Sequence, residues 1–154
     1  MHLCSEVLDA LRKKGMTLVT AESLTGGGIG AALTAIPGSS AVYKGGIISY
    51  TNWVKNNLLG VDAELLETVG AVSAPVAESM AKGARKALEA DIAVSVTGLA
   101  GPGGDDYGNP VGRVYIGYAD ANVTLSREFT FSGHREAVRC HAVMEALKLI
   151  LELN

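Results

Sequence analysis

An apolar run that ends in a serine and a glycine cluster, Thr17-Leu-Val-Thr-Ala-Glu-Ser-Leu-Thr-Gly-Gly-Gly28, limits the architecture more than any other stretch of the chain. It reads as a strand over 16–21, a sharp turn carrying Glu22, Ser23 and Thr25, and a helix over 27–35. Two chemistries fit such a junction. A serine there can be a nucleophile held out of the backbone. The free N–H groups of a helix start can equally form an anion site.

The rest of the chain repeats the alternation. Leu3, Val7, Leu8 and Leu11 recur at helical spacing, and Arg12-Lys13-Lys14-Gly15 supplies the cations and glycine of a helix end. A second strand is expected over 45–50, then a polar turn and a short helix bearing Lys55, Leu58 and Leu59. Asp62 opens another short helix. Ser73, followed by Pro75, caps a longer one that runs to Leu88. A third strand over 92–97 leads into the glycine-rich turn Gly98-Leu-Ala-Gly-Pro-Gly-Gly104. Residues 111–119 and 123–131 form an antiparallel hairpin, and a last helix over 134–153 turns Val138, Val143, Leu147 and Leu151 inward. The expected fold is an α/β, three-layer α/β/α sandwich on a mixed, mostly parallel sheet with a C-terminal antiparallel hairpin. Residues 1–154 read as one domain, without repeat or linker.

Composition narrows the function. A formal net charge of −3 gives no general attraction to nucleic acid or to an anionic membrane, so any anion site must be local. Cys4 and Cys140 stand far apart without metal-ligand spacing, which suits two reduced thiols. His134 and His141 lack a carboxylate or thiol partner at ligand spacing, and Asp105-Asp106 lacks a histidine, so no metal is expected. Nothing resembles a signal peptide, and no apolar run approaches the ~20 residues of a membrane span. The expectation is a soluble, cytoplasmic protein.

Gly26-Gly-Gly-Ile-Gly-Ala31 fits the GxGxxA pattern of a dinucleotide fold, which needs an acid about 20 residues later to hold a ribose. No Asp or Glu occurs between Glu22 and Asp62, so that reading fails. No GK[ST] follows the glycines, which removes a Walker loop. Ser79-Met-Ala-Lys82 matches an SxxK pattern but lies mid-helix, without a strand-turn context. The acid-free window holds Lys44 and Lys55 and favours an anionic ligand.

Strands parallel in one sheet end at one edge, so Ser23, Tyr50 and Lys55 are expected to converge there. A neutral lysine amine can serve as the base of a serine hydroxyl, provided burial and neighbouring positive charge together lower its pKa by about 3 units. Tyr50 can relay a proton or donate to an oxyanion, with the N–H groups of Gly26 and Gly27 as further donors and Glu22 and Thr25 beside them. The loop from Thr97 through Gly98, Gly101, Gly103 and Gly104 closes the same edge and can present N–H groups to a phosphate. Arg135 can reach the same anion.

Seven motifs carry a family resemblance: Ala21-Glu-Ser-Leu-Thr-Gly-Gly27, Pro37-Gly-Ser-Ser40, Gly45-Gly-Ile-Ile-Ser-Tyr-Thr-Asn-Trp-Val-Lys55, Leu58-Leu-Gly-Val61, Gly70-Ala-Val-Ser73, Val96-Thr-Gly-Leu-Ala-Gly-Pro-Gly-Gly104 and Pro110-Val-Gly-Arg-Val-Tyr115. Together they resemble the C-terminal domain of the competence/damage-inducible CinA proteins, whose stand-alone members are similar to nicotinamide-nucleotide amidases. The resemblance implies hydrolysis of the carboxamide of nicotinamide mononucleotide to nicotinate mononucleotide and ammonia, without metal or cofactor. It implies Ser23 as nucleophile, Lys55 as its base, Tyr50 assisting, and a homodimer. The family often has a cysteine after the serine, where this chain has Leu24. The alternative is a non-catalytic, nucleotide-binding regulatory module of the same fold.

Overall fold

The structure is a computed structural model that describes residues 2–154. Its elements are α1 (His2–Lys14), β1 (Leu18–Glu22), α2 (Gly28–Thr34), a 3₁₀ turn (Ser39–Ala41), β2 (Tyr43–Ile48), α3 (Asn52–Leu59), α4 (Ala63–Thr68), α5 (Ala74–Ala87), β3 (Ile92–Gly98), β4 (Arg113–Ala119), β5 (Thr124–Thr130) and α6 (Arg135–Leu153). The strands form one sheet in the order β2-β1-β3-β4-β5. β1 pairs in parallel with β2 and β3, while β3–β4 and β4–β5 are antiparallel. This is the expected mixed α/β sandwich.

Period-two alternation distributes the core between two faces. Leu18, Ile92, Val94, Val96, Val114, Ile116 and Tyr118 point to the side covered by α1, α2 and α6. Val19, Ala21, Ala93 and Ala119 point to the side covered by α3, α4 and α5. The second face is built of small residues, which lets α5 lie close to the sheet. Gly117 marks the limit: a Cβ there would collide with the Ala77 carbonyl of α5. On the same face Ser95 donates its hydroxyl to that carbonyl, so the contact is a polar seam inside an apolar layer.

Three local readings are corrected. β1 extends to Glu22, so Glu22 is the last strand residue and not part of the turn. β2 spans Tyr43–Ile48, two residues earlier at both ends than expected, because it pairs Leu18 with Tyr43 and Glu22 with Ile48. Thr51 then caps α3 by accepting the Val54 N–H. Ser73 stands at the N-cap of α5, but its hydroxyl donates to the Gly70 carbonyl and makes no side-chain cap bond. Among the described residues, no helix is long and apolar enough to cross a membrane.

Candidate active site

The ladder continues beyond the strand ends. Ser23 N–H donates to the Val96 carbonyl at 3.0 Å, and Ser49 N–H donates to the Glu22 carbonyl at 2.8 Å. Ser23, Ser49 and Thr97 are therefore held side by side at the carboxyl edge of β1, β2 and β3. The connection from β1 crosses to one side and the connection from β2 returns to the other. The crevice between β1 and β3 is the switch point where α/β sheets take ligands. An open cavity of about 520 Å³ lies there, within the range of roughly 300–1,000 Å³ typical of small-molecule sites.

Lys55 forms its floor. The side chain is 2% exposed, and its Nζ donates to Ser49 O at 2.7 Å, Ser23 Oγ at 3.1 Å and Tyr50 O at 3.4 Å. It takes part in none of the ion pairs found among the described residues. Burial lowers its pKa from the ordinary 10.5 to about 8. A neutral amine keeps two N–H bonds to the two carbonyls and turns its lone pair to the Ser23 hydroxyl. Ser23 itself is 7% exposed and lines the cavity.

Tyr50 and Arg135 form the rim. Tyr50 is 58% exposed, and its hydroxyl accepts from Arg135 Nη2 at 3.1 Å. Arg135 Nη1 donates to the Gly101 carbonyl at 2.8 Å, so the guanidinium joins the β2–α3 turn to the β3–β4 loop. Thr97, Gly98, Gly101, Gly103 and Gly104 all line the cavity. The Thr97 hydroxyl is engaged with the Ala71 carbonyl at 2.8 Å.

Glu22, Thr25, Gly26 and Gly27 do not line the cavity. Glu22 points to the opposite face of the sheet, where its carboxylate accepts from Thr25 Oγ1 at 2.7 Å, Ile29 N at 2.9 Å and Gly30 N at 3.0 Å. It is a buried anion at the start of α2, satisfied by the N–H groups and the dipole of that helix. Gly26 N–H is occupied by the Ser23 carbonyl at 3.0 Å. Gly27 stands at the α2 N-cap with φ +102°, a conformation that explains a glycine there without a ligand.

Other lining residues went unread in the sequence. Asn52, Ala71, Val72 and Tyr107 border the cavity from the α3, α4 and β3–β4 regions. Tyr107 donates its hydroxyl to the Glu67 carbonyl at 2.7 Å and fastens the glycine-rich loop to α4. Asp105 also lines the cavity, yet its carboxylate accepts from the N–H groups of Tyr107 and Asn109 and from Asn109 Nδ2, so it shapes the loop. Its pairing with a turn two residues on is an Asx pattern that Asp105-Asp-Tyr107 shows only weakly. Leu24 is 4% exposed and packs in the core beneath α2 and α6 while touching the cavity wall. No cluster of potential metal ligands occurs among the described residues.

The family model described as "CinA C-terminal domain" matches residues 1–154. A CinA-like protein of Thermosynechococcus vestitus is 50% identical over 151 residues, covering 96% of this chain and 36% of its own length. A CinA-like protein of Geobacter sp. is 47% identical over 137 residues, covering 89% of this chain and 33% of its own. The chain thus spans about a third of the length of these curated relatives. Among solved structures, the competence/damage inducible protein CihA from Agrobacterium tumefaciens superposes with a TM-score of 0.96 at 41% identity, over 99% of this chain and 94% of that one. A competence-damaged protein (CinA) superfamily protein from Escherichia coli gives 0.96 at 34% identity, over 99% and 88%.

Proposed function

The chain belongs to the CinA C-terminal domain family, and from that premise we propose that it is a serine–lysine amidohydrolase acting on the carboxamide of nicotinamide mononucleotide. The observation that carries the reading is the buried Lys55 amine, 3.1 Å from Ser23 Oγ and without an acidic partner. A lysine buried at a switch-point cavity beside a serine, with its pKa lowered by desolvation, has the form of a general base.

In this mechanism Ser23 Oγ attacks the carboxamide carbon while Lys55 Nζ takes the hydroxyl proton. The tetrahedral oxyanion is met by the N–H of Leu24, the residue after the nucleophile, and by the Tyr50 hydroxyl. Tyr50 accepts from Arg135, so its own O–H proton remains available to donate. Lys55 returns its proton to the departing nitrogen, which leaves as ammonia, and an ester remains on Ser23. Water, deprotonated by the same amine, attacks that ester and releases the carboxylic acid and the serine hydroxyl. The glycine-rich loop and Arg135 receive the nucleotide phosphate.

The test is ammonia release from nicotinamide mononucleotide by wild type, Ser23→Ala and Lys55→Ala. Release by wild type alone supports the mechanism. Turnover that survives both substitutions rules the dyad out. Calorimetric binding of the nucleotide by wild type without ammonia release selects a nucleotide-binding module instead.

A further inference from the structure

Arg139 of α6 is absent from the cavity lining, yet its guanidinium reaches the nucleophile turn from behind. Nε donates to the Leu24 carbonyl at 2.9 Å and Nη2 donates to the Thr25 carbonyl at 3.3 Å. Arg139 forms none of the ion pairs found among the described residues, so its charge bears on these two peptide groups.

The connectivity leads back to the reacting centre. The Thr25 carbonyl shares its peptide unit with Gly26 N–H, which donates to the Ser23 carbonyl at 3.0 Å. The Ser23 carbonyl in turn shares its peptide unit with Leu24 N–H. A cation at one end of two linked peptide units polarises both, and hydrogen bonds in such a chain strengthen one another. The effect is to make Leu24 N–H a stronger donor and to fix the plane that carries it.

Resting on the serine amidohydrolase reading, we propose that Arg139 is a positioning residue that orients and polarises the Leu24 N–H toward the oxyanion formed at Ser23. It acts through the turn and does not touch the substrate. Its stabilisation grows as charge develops on the oxygen, so its removal lowers kcat and leaves KM in place. The groove behind the turn, about 460 Å³ and lined by Thr25, Gly28, Glu136, Cys140 and Val143 beside Arg139, is open to small solutes.

The experiment compares wild type with Arg139→Met and Arg139→Lys, using nicotinamide mononucleotide turnover and the amide-proton shifts of Leu24 and Gly26. Arg139→Met is expected to lose about tenfold in kcat with KM within about twofold. Added guanidinium chloride at low concentration is expected to restore part of the loss. Arg139→Lys, which offers a point charge and no planar fork, is expected to fall between the two. In Arg139→Met both amide protons are expected to move upfield, while amides of β4 stay unchanged. An active wild type with kcat unaltered in Arg139→Met overturns the proposal. Loss of all wild-type turnover overturns the amidase reading instead, and the shifts then decide the relay: unmoved amides overturn it and moved amides support it. If Arg139→Met fails to fold, Arg139→Lys carries the same comparison.

Discussion

Lys55 Nζ lies closer to the Ser49 carbonyl, at 2.7 Å, than to Ser23 Oγ, at 3.1 Å. The short contact fixes the amine through a backbone group that cannot rotate away, and the longer one is the contact along which the proposed proton transfer would run. The serine–lysine pair is thus oriented by the β2–α3 turn, and no third ionisable side chain is involved.

The first consequence is a pH profile. In the proposed mechanism the base must be neutral, and burial brings Lys55 to about 8. We expect kcat/KM for nicotinamide mononucleotide to fall about tenfold per pH unit below that value and to level off above it. Ammonia release from pH 6.5 to 9.5 checks this, and a profile that peaks on the acid side would contradict the assignment.

Stability carries the same signature. The folded pKa of Lys55 is below its unfolded value, so the unfolded chain binds the extra proton between about 8 and 10.5. Burial therefore costs stability below the folded pKa, and the cost fades as pH rises through that window. Relative to Lys55→Met, wild type is expected to gain about 1 kcal/mol between pH 7 and pH 9. Urea unfolding of both proteins at the two pH values measures the difference, and a constant gap would sink the idea.

Glu22→Gln keeps the shape of the side chain but replaces a two-oxygen acceptor that serves three donors. One amide N–H then faces other N–H groups at the start of α2. The expected loss is about 3 kcal/mol, read from a denaturant midpoint. Unchanged stability would return Glu22 to the list of possible ligand contacts.

Gly117→Ala places a methyl against the Ala77 carbonyl, a backbone atom that cannot turn aside. The β4–α5 spacing must open, and we expect a loss of about 3 kcal/mol. Thermal unfolding provides the check; a change under about 0.5 kcal/mol would mean that the layer spacing is soft.

Arg135→Met is expected to raise KM for the mononucleotide about tenfold with kcat within about twofold, because a charge-assisted contact at the rim is lost while the dyad stays intact. Initial-rate kinetics separate the two terms. A fall in kcat alone would instead place Arg135 beside the reacting bond through Tyr50.

The sheet and the Ser23–Tyr50–Lys55 convergence were legible because parallel strands end at one edge and a serine at a strand end has few places to go. Glu22 lies away from the cavity for a physical reason that the sequence itself carries. In a strand, alternate residues share a face, so Glu22 belongs with Leu18 and Thr20, whereas Ser23 faces the other way with Ala21. Extending the alternation by one residue separates the helix anchor Glu22 from Ser23. Arg139 and Tyr107 were not legible, since each acts on a segment far away in sequence. Only the packing of α6 on the turn, and of the glycine-rich loop on α4, reveals them.

The hydrogen bonds of Ser23 and Ser49 that prolong the ladder divide the cavity into two materials. Its floor is the sheet edge together with the Lys55 side chain of α3, and its rim includes a loop between β3 and β4 held by side chains such as Tyr107 and Arg135. In the proposed mechanism Ser23 and Lys55 belong to the first, and the groups proposed to hold the phosphate belong to the second. A segment grafted between residues 99 and 112 would therefore have to keep the Gly101 carbonyl, because the guanidinium of Arg135 that it holds is what ties this loop to Tyr50 and the β2–α3 turn.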